Sequence, residues 1–257
     1  MIRIEDEGRV RILTLDRPEA KNAFNEEHYD AMTEALMAAD ADPGVAVVVF
    51  TGGGSAFCAG TDVREMAARV ADPAGFTNGK HGFPGLIDQL TNFRKPFICA
   101  VNGLGVGIGA TILGFADYAV MSTEARLRYP FTRLGVAPEA ASSVLLPILI
   151  GRQAAAWVLM SAEWVPAAEC VELGIARKLC APEELMEVTM RYARVLAAAP
   201  VSSLIATKQV MMAPLIDAIA AARGRENAAF AELLGAPANI EAMTAFAQKR
   251  EPDFSRV

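Results

Sequence analysis

Hydrophobic and polar positions alternate in blocks along this chain. Val10–Leu15 (VRILTL) has the makings of a strand, closed by Arg17-Pro18. Asn25 is placed to cap a helix over Glu26–Asp40, with Tyr29, Met32, Leu36 and Ala39 on one face and Asp42-Pro43-Gly44 as its stop. Val45–Thr51 (VAVVVFT) is a continuous β-branched run, the pattern of a strand covered on both faces. Gly52-Gly53-Gly54-Ser55 follows, and a short helix is expected to start near Asp62. Residues 73–85, rich in Gly and Pro, predict a mobile loop, after which Leu86–Phe93 resumes helical spacing. A second buried strand is expected at Phe97–Val101, then a glycine-rich turn and a helix to about Phe115. Short strands are expected at Tyr118–Met121 and Arg126–Tyr129, and almost wholly helical structure from Ala140 onward. Strands alternating with helices, with glycines at the strand ends, predict an α/β fold. The division expected is a core over residues 1–199 and a helical region over 200–257, the latter Ala- and Met-rich enough for an oligomer interface.

Composition narrows the function. The chain has 257 residues, of which 53% are hydrophobic and 21% charged, ample for a full core and unlike a disordered chain. A net charge of −6 gives no basic footprint, so nucleic acid is not an expected partner. Cys58, Cys99, Cys170 and Cys180 are far apart and form no CxxC pair, so neither a zinc site nor a disulfide framework is expected. The N-terminus lacks the apolar region of a signal peptide, and the terminal Ser-Arg-Val is not the Ser-Lys-Leu peroxisomal address. Residues 97–116 are long enough to span a bilayer. Asn102, Thr111 and five glycines within them fit a strand, a loop and a buried helix better. The expectation is a cytoplasmic enzyme with no membrane partner.

Common catalytic motifs are missing. His28 and His81 are the only histidines, and there is no GxSxG, HExxH or GxxxxGK[ST] sequence. Gly105-x-Gly107-x-x-Ala110 fits a loose dinucleotide fingerprint, but Tyr129-Pro130-Phe131 stands where an acidic ribose ligand is required. Both this run and Ser55–Asp62 carry the chain from a strand into a helix. Loops of that kind leave first-turn N–H groups unpaired, and two of them can aim two donors at one carbonyl oxygen.

Several ordered motifs carry a wider likeness. Asp16–Ala23 (DRPEAKNA), Ala56–Val63 (AFCAGTDV), Ala100-Val101-Asn102-Gly103 with its glycine run, Leu173–Ala176 and Gln248–Phe254 together resemble the enoyl-CoA hydratase/isomerase (crotonase) superfamily across nearly the whole chain. The resemblance implies a crotonase-like spiral of ββα units with a C-terminal helical trimerisation domain, acting on acyl-CoA thioesters. It further implies an oxyanion hole made by two main-chain N–H groups, which fall here on Thr61 and Ile108. For the substrate it implies contacts from Lys21, Ala23, Ala59, Asp62, Val63, Phe131 and Lys249. No metal or separate cofactor is implied, CoA being part of the substrate, and the expected assembly is a homotrimer or a dimer of trimers.

Departures from the family pattern point to the chemistry. The two glutamates of the family's hydratases fall on Thr111 and Phe131, neither of which is a general base. Tyr129–Glu139 (YPFTRLGVAPE) instead resembles the peroxisomal-type Δ3,Δ2-enoyl-CoA isomerase branch, which makes Glu139 the candidate acid/base. The apolar sequence after Glu139 would raise its pKa, and helix-start N–H groups would lower it; sequence leaves the balance open. The expected activity is movement of a double bond from C3=C4 to C2=C3. The alternatives are another crotonase chemistry, such as hydration or thioester hydrolysis, and a non-catalytic acyl-CoA-binding subunit.

Overall fold

In the computed structural model, which describes residues 1–72 and 75–257, the chain opens with β1 (Ile2–Glu7), β2 (Val10–Leu15) and α1 (Glu26–Ala41). Next, β3 (Val47–Gly52) and β4 (Ala56–Cys58) lead to α2 (Val63–Ala71) and α3 (Gly82–Asn92). β5 (Phe97–Val101) and β6 (Leu104–Val106) lead to α4 (Ile108–Thr111). β7 (Tyr118–Ser122) and β8 (Arg126–Arg128) lead to α5 (Ser142–Ile150) and α6 (Arg152–Ser161). β9 (Trp164–Pro166), α7 (Ala167–Leu173) and β10 (Lys178–Cys180) come next. The chain closes with α8 (Leu185–Ala197), α9 (Val201–Met212), α10 (Ile216–Leu233) and α11 (Pro237–Ala247).

Among the described residues the strands make two sheets, one ordered β1-β2-β3-β5-β7-β10 and the other β4-β6-β8-β9. From β3 to β8 each successive pair gives its first strand to the large sheet and its second to the small one. That alternation is the expected ββα spiral. Its inner ladders are parallel; only β1–β2 and β8–β9 run antiparallel.

The β-branched run of β3 is explained by what covers it. Val48 and Phe50 enter the main core, while Val47 and Val49 face a second core closed by Leu185, Val188 and Ala193 of α8. Each such side chain fully buried contributes about 1.5–3 kcal/mol relative to exposure. Ile219 and Ala222 of α10 also belong to the main core, so the C-terminal helices are packed onto the spiral.

Residues 97–116, checked above as a membrane span, are as expected not one continuous helix but the strand, turn, second strand and short helix from β5 to Phe115. Three expectations need correction. The helix expected up to Phe115 is only four residues of α4 followed by a 3-10 turn, because glycines and β-branched residues give it little helix propensity. Within 73–85, residues 73 and 74 lie outside the described residues, and the helix begins at Gly82 rather than Leu86. Asp30 anchors that start by accepting the N–H groups of Lys80, His81 and Gly82 at 2.7–2.9 Å. Beyond Ala140, finally, two three-residue strands, β9 and β10, interrupt the helices.

Candidate active site

The first glycine loop is fixed by a single β-bridge. Phe24 N–H donates to Gly60 O at 2.7 Å and Asp62 N–H donates to Phe24 O at 2.6 Å. In this parallel pattern the neighbours of Thr61 make both bonds, so its own N–H takes no part and faces away from Phe24. Asp62 is occupied on both oxygens: it caps α2 by accepting Arg64 N–H at 2.9 Å and receives the Arg17 guanidinium at 2.7 Å. Its carboxyl is accordingly held below the usual range, the hydrogen bonds and the Arg17 charge outweighing burial. The Thr61 hydroxyl is 2.7 Å from that of Tyr29, whose ring is buried and stacked on Phe24 at 4.8 Å.

The second loop turns at Gly107, with φ 54° and ψ −122°, a conformation open in practice to glycine. Ile108 is the first residue of α4, so its N–H has no partner within the helix. Gly109 brings the loops into contact: a Cβ there would lie 2.3 Å from Cys58 O, closer than atoms can approach. The two donors therefore lie just beyond the ends of neighbouring strands, β4 and β6, in loops held at glycine distance.

Glu139 arrives at the same place from the far side. A Cβ built on Gly107 would lie 4.0 Å from Glu139 Oε1 and 3.9 Å from Gly60 Cα. The carboxyl thus stands beside the residue preceding Ile108, which is also next to the residue preceding Thr61. Two consecutive left-handed alanines, Ala140 (φ 57°) and Ala141 (φ 56°), turn the chain sharply behind it into α5. Ser142 ties the turn by donating its hydroxyl to Glu139 O at 2.6 Å and its N–H to the same oxygen at 3.0 Å.

The charge balance left open by the sequence falls on the side of burial, and a residue that sequence reading missed adds to it. Burial, and then the negative charge of Glu226, push the Glu139 carboxyl up to about 7. Glu226, buried on α10, accepts Ala141 N–H at 2.7 Å and Ser143 N–H at 2.9 Å, so these helix-start donors are already taken. Tyr29 and Cys58 also feel the Glu139 charge, and burial raises both, Cys58 to about 12. Glu226 and Tyr29 lie outside the quoted motifs and are brought here by contacts distant in sequence, whereas Cys58 belongs to the Ala56–Val63 motif.

The remaining expected residues divide. Thr111 is buried, and its hydroxyl faces a cavity of about 10 Å³ lined by Gly114, Tyr129, Ser142 and Leu145, with no hydrogen-bond partner among the described residues. Phe131 is buried in the main core. Ala23 is buried at the first loop, and Ala59 N–H donates to Lys21 O at 3.0 Å. Val63 lines a cavity of about 520 Å³ between α2 and α11, together with Arg64, Met243, Phe246 and Gln248. Lys249 is exposed just beyond that cavity and Lys21 is exposed beside the first loop; among the described residues neither makes an ion pair.

Known proteins share this architecture. Residues 5–256 match the family model described as enoyl-CoA hydratase/isomerase. The chain is 32% identical over 251 residues to a 2,3-dehydroadipyl-CoA hydratase of Escherichia coli (strain K12), covering 98% of this chain and 97% of that one. It is 30% identical over 250 residues to a 1,2-epoxyphenylacetyl-CoA isomerase of the same organism, covering 96% and 95%. The crystal structure of an enoyl-CoA hydratase from Mycobacterium marinum aligns with a TM-score of 0.80 at 59% identity, over 83% of this chain and 99% of that one. Motifs, spiral topology and these likenesses agree: the chain belongs to the enoyl-CoA hydratase/isomerase family and is an acyl-CoA enzyme with the crotonase fold.

Proposed function

We propose that this enzyme is a Δ3,Δ2-enoyl-CoA isomerase in which Glu139 is the sole acid/base. The observation that carries the reading is the Glu139 carboxyl beside Gly107, with its pKa near neutrality, while Thr111 and Phe131 occupy the positions of the hydratase glutamates. The N–H groups of Thr61 and Ile108 hold the thioester oxygen. The ionised Glu139 removes a proton from C2, and the C–H electron pair moves into a dienolate whose negative charge rests on that oxygen. The same carboxyl, now protonated, returns the proton at C4, which leaves the double bond at C2=C3. Each oxyanion donor is worth about 3 kcal/mol to the transition state. A carboxyl near pH 7 suits both halves of the shuttle, since it gives up and recovers a proton at similar cost. The chemistry calls on no metal or redox group.

We assign the 520 Å³ cavity between α2 and α11 to the acyl-CoA, because it begins at Val63, two residues from Thr61. Lys21 and Lys249 stand as candidate partners for CoA phosphates. The apolar exposed face of α9 and α10 is assigned to other copies of the chain, in a trimer or a dimer of trimers. The buried free cysteines suit a reducing compartment, the cytoplasm.

A second reading has support in the names of relatives, most of which are hydratases. In it Glu139 takes a proton from a water whose oxygen adds at C3 of a 2-enoyl-CoA, and a proton is returned at C2. Glu139→Gln tests the role common to both readings. Turnover of 3-enoyl-CoA is expected to fall by 10²–10⁴-fold, with acyl-CoA affinity retained, as about that much depends on a positioned acid/base. Unchanged turnover would remove Glu139 from the mechanism.

A further inference from the structure

We propose that Glu226 is a positioning residue for Glu139: from α10 it clamps the left-handed turn behind the catalytic carboxyl and keeps the helix-start N–H groups of that turn for itself. The inference rests on the reading of Glu139 as acid/base and extends it to a residue that does not touch the substrate.

Three observations support it. Glu226 is only 5% exposed, and charged side chains are seldom buried so completely without a specific partner. Its two oxygens are used separately, Oε2 on Ala141 N–H and Oε1 on Ser143 N–H. These donors flank the junction of the turn with α5, and Ala141 is itself left-handed, a conformation strained for a residue other than glycine. A carboxylate that bridges both N–H groups offsets that strain and fixes where Glu139 points.

The clamp also sets the electrical surroundings of the site. Titratable groups that interact with Glu139 come from three elements: Glu226 on α10, Tyr29 on α1 and Cys58 on β4. Burial keeps the Tyr29 and Cys58 protons on at neutral pH, so both are uncharged there. Glu226 remains as the acidic neighbour that acts on Glu139. The α5 segment packed against α10 is SSVLLPILI and brings no titratable side chain. Had the Ala141 and Ser143 donors been turned to Glu139, they would have favoured its charged form; on Glu226 they leave it less acidic.

The experiment is the pH profile of kcat for 3-enoyl-CoA in the wild type, Glu226→Gln and Glu226→Asp. Glutamine keeps an acceptor oxygen but loses the charge. Its acidic limb is expected to move down by about one pH unit, toward an ordinary glutamate, with KM unchanged. Aspartate keeps the charge but is too short to bridge both donors. Its limb is expected to stay high while kcat falls. A Glu226→Gln limb that stays in place would overturn the proposal, whether kcat is normal or uniformly reduced, as would an aspartate limb displaced like that of glutamine. Infrared titration of the Glu139 carboxyl, identified by its loss in Glu139→Gln, gives the same readout without turnover and serves if Glu226→Gln is inactive. If Glu139→Gln retains full activity, the acid/base reading fails instead, a result distinct from an unmoved limb.

Discussion

Glu139 binds a proton far more tightly than a glutamate in water because the folded chain takes water away from it and sets Glu226 nearby. That property has a consequence for stability. Between the ordinary glutamate value of 4.5 and about 7, the native protein holds a proton that the unfolded chain has released. The native state binds more protons in that window, so stability falls as pH rises through it and stays reduced above it. The difference amounts to about 3 kcal/mol at most. Urea unfolding of Glu139→Gln is therefore expected to show a variant more stable than wild type at pH 8 by up to about 3 kcal/mol, and matched to it near pH 4. Equal stability at pH 8 would mean that the carboxyl is not strained by its site.

At the scale of elements, legibility followed length and locality. Asn25 was readable as a cap because the signal is contained in a few residues, and its side chain does accept His28 N–H at 2.9 Å. Asp62 was readable in the same way. The long apolar strands β2, β3 and β5 announced themselves by composition. β1 did not: its IRIEDE is a polar edge strand, almost wholly exposed, paired with β2 and anchored by Ile2 on the main core and by the Glu7–Arg194 ion pair. In the small sheet, whose strands have three residues each, β8 was expected at Arg126–Tyr129, while β4, β6 and β9 are too short to show a period of two. Both loops of the site were legible from their glycines, and Glu139 from its motif. Glu226 was not, because its meaning lies in two N–H groups 83 and 85 residues away. Nor could the sequence decide the charge balance at Glu139, since that depended on which carboxylate the start of α5 would serve.

Across the whole molecule, the C-terminal helices join two tasks. Glu226, Ile219 and Ala222 tie α10 to the site and the core, while Val210, Met211 and Ile216 remain exposed. Over Val201–Leu233 the mean hydropathy reaches 1.4 in a window only 6% buried, enough by length and composition for a membrane span. α9 and α10 are nevertheless separated by a 3-10 turn at Pro214, and the polar clamp of Glu226 faces inward from within this stretch. The proposed coverage by sister chains would account for both faces. Sedimentation without detergent is expected to give three or six chain masses; a monomer, or co-sedimentation with lipid vesicles, would contradict this. The central claim, that one carboxyl moves a proton and adds no water, is met most directly by converting 3-enoyl-CoA in ¹⁸O-labelled water and weighing the product. The account predicts 2-enoyl-CoA of unchanged oxygen content, formed by the wild type and lost in Glu139→Gln. No product from 3-enoyl-CoA, while 2-enoyl-CoA supplied separately becomes 3-hydroxyacyl-CoA carrying ¹⁸O, would contradict it and make the enzyme a hydratase.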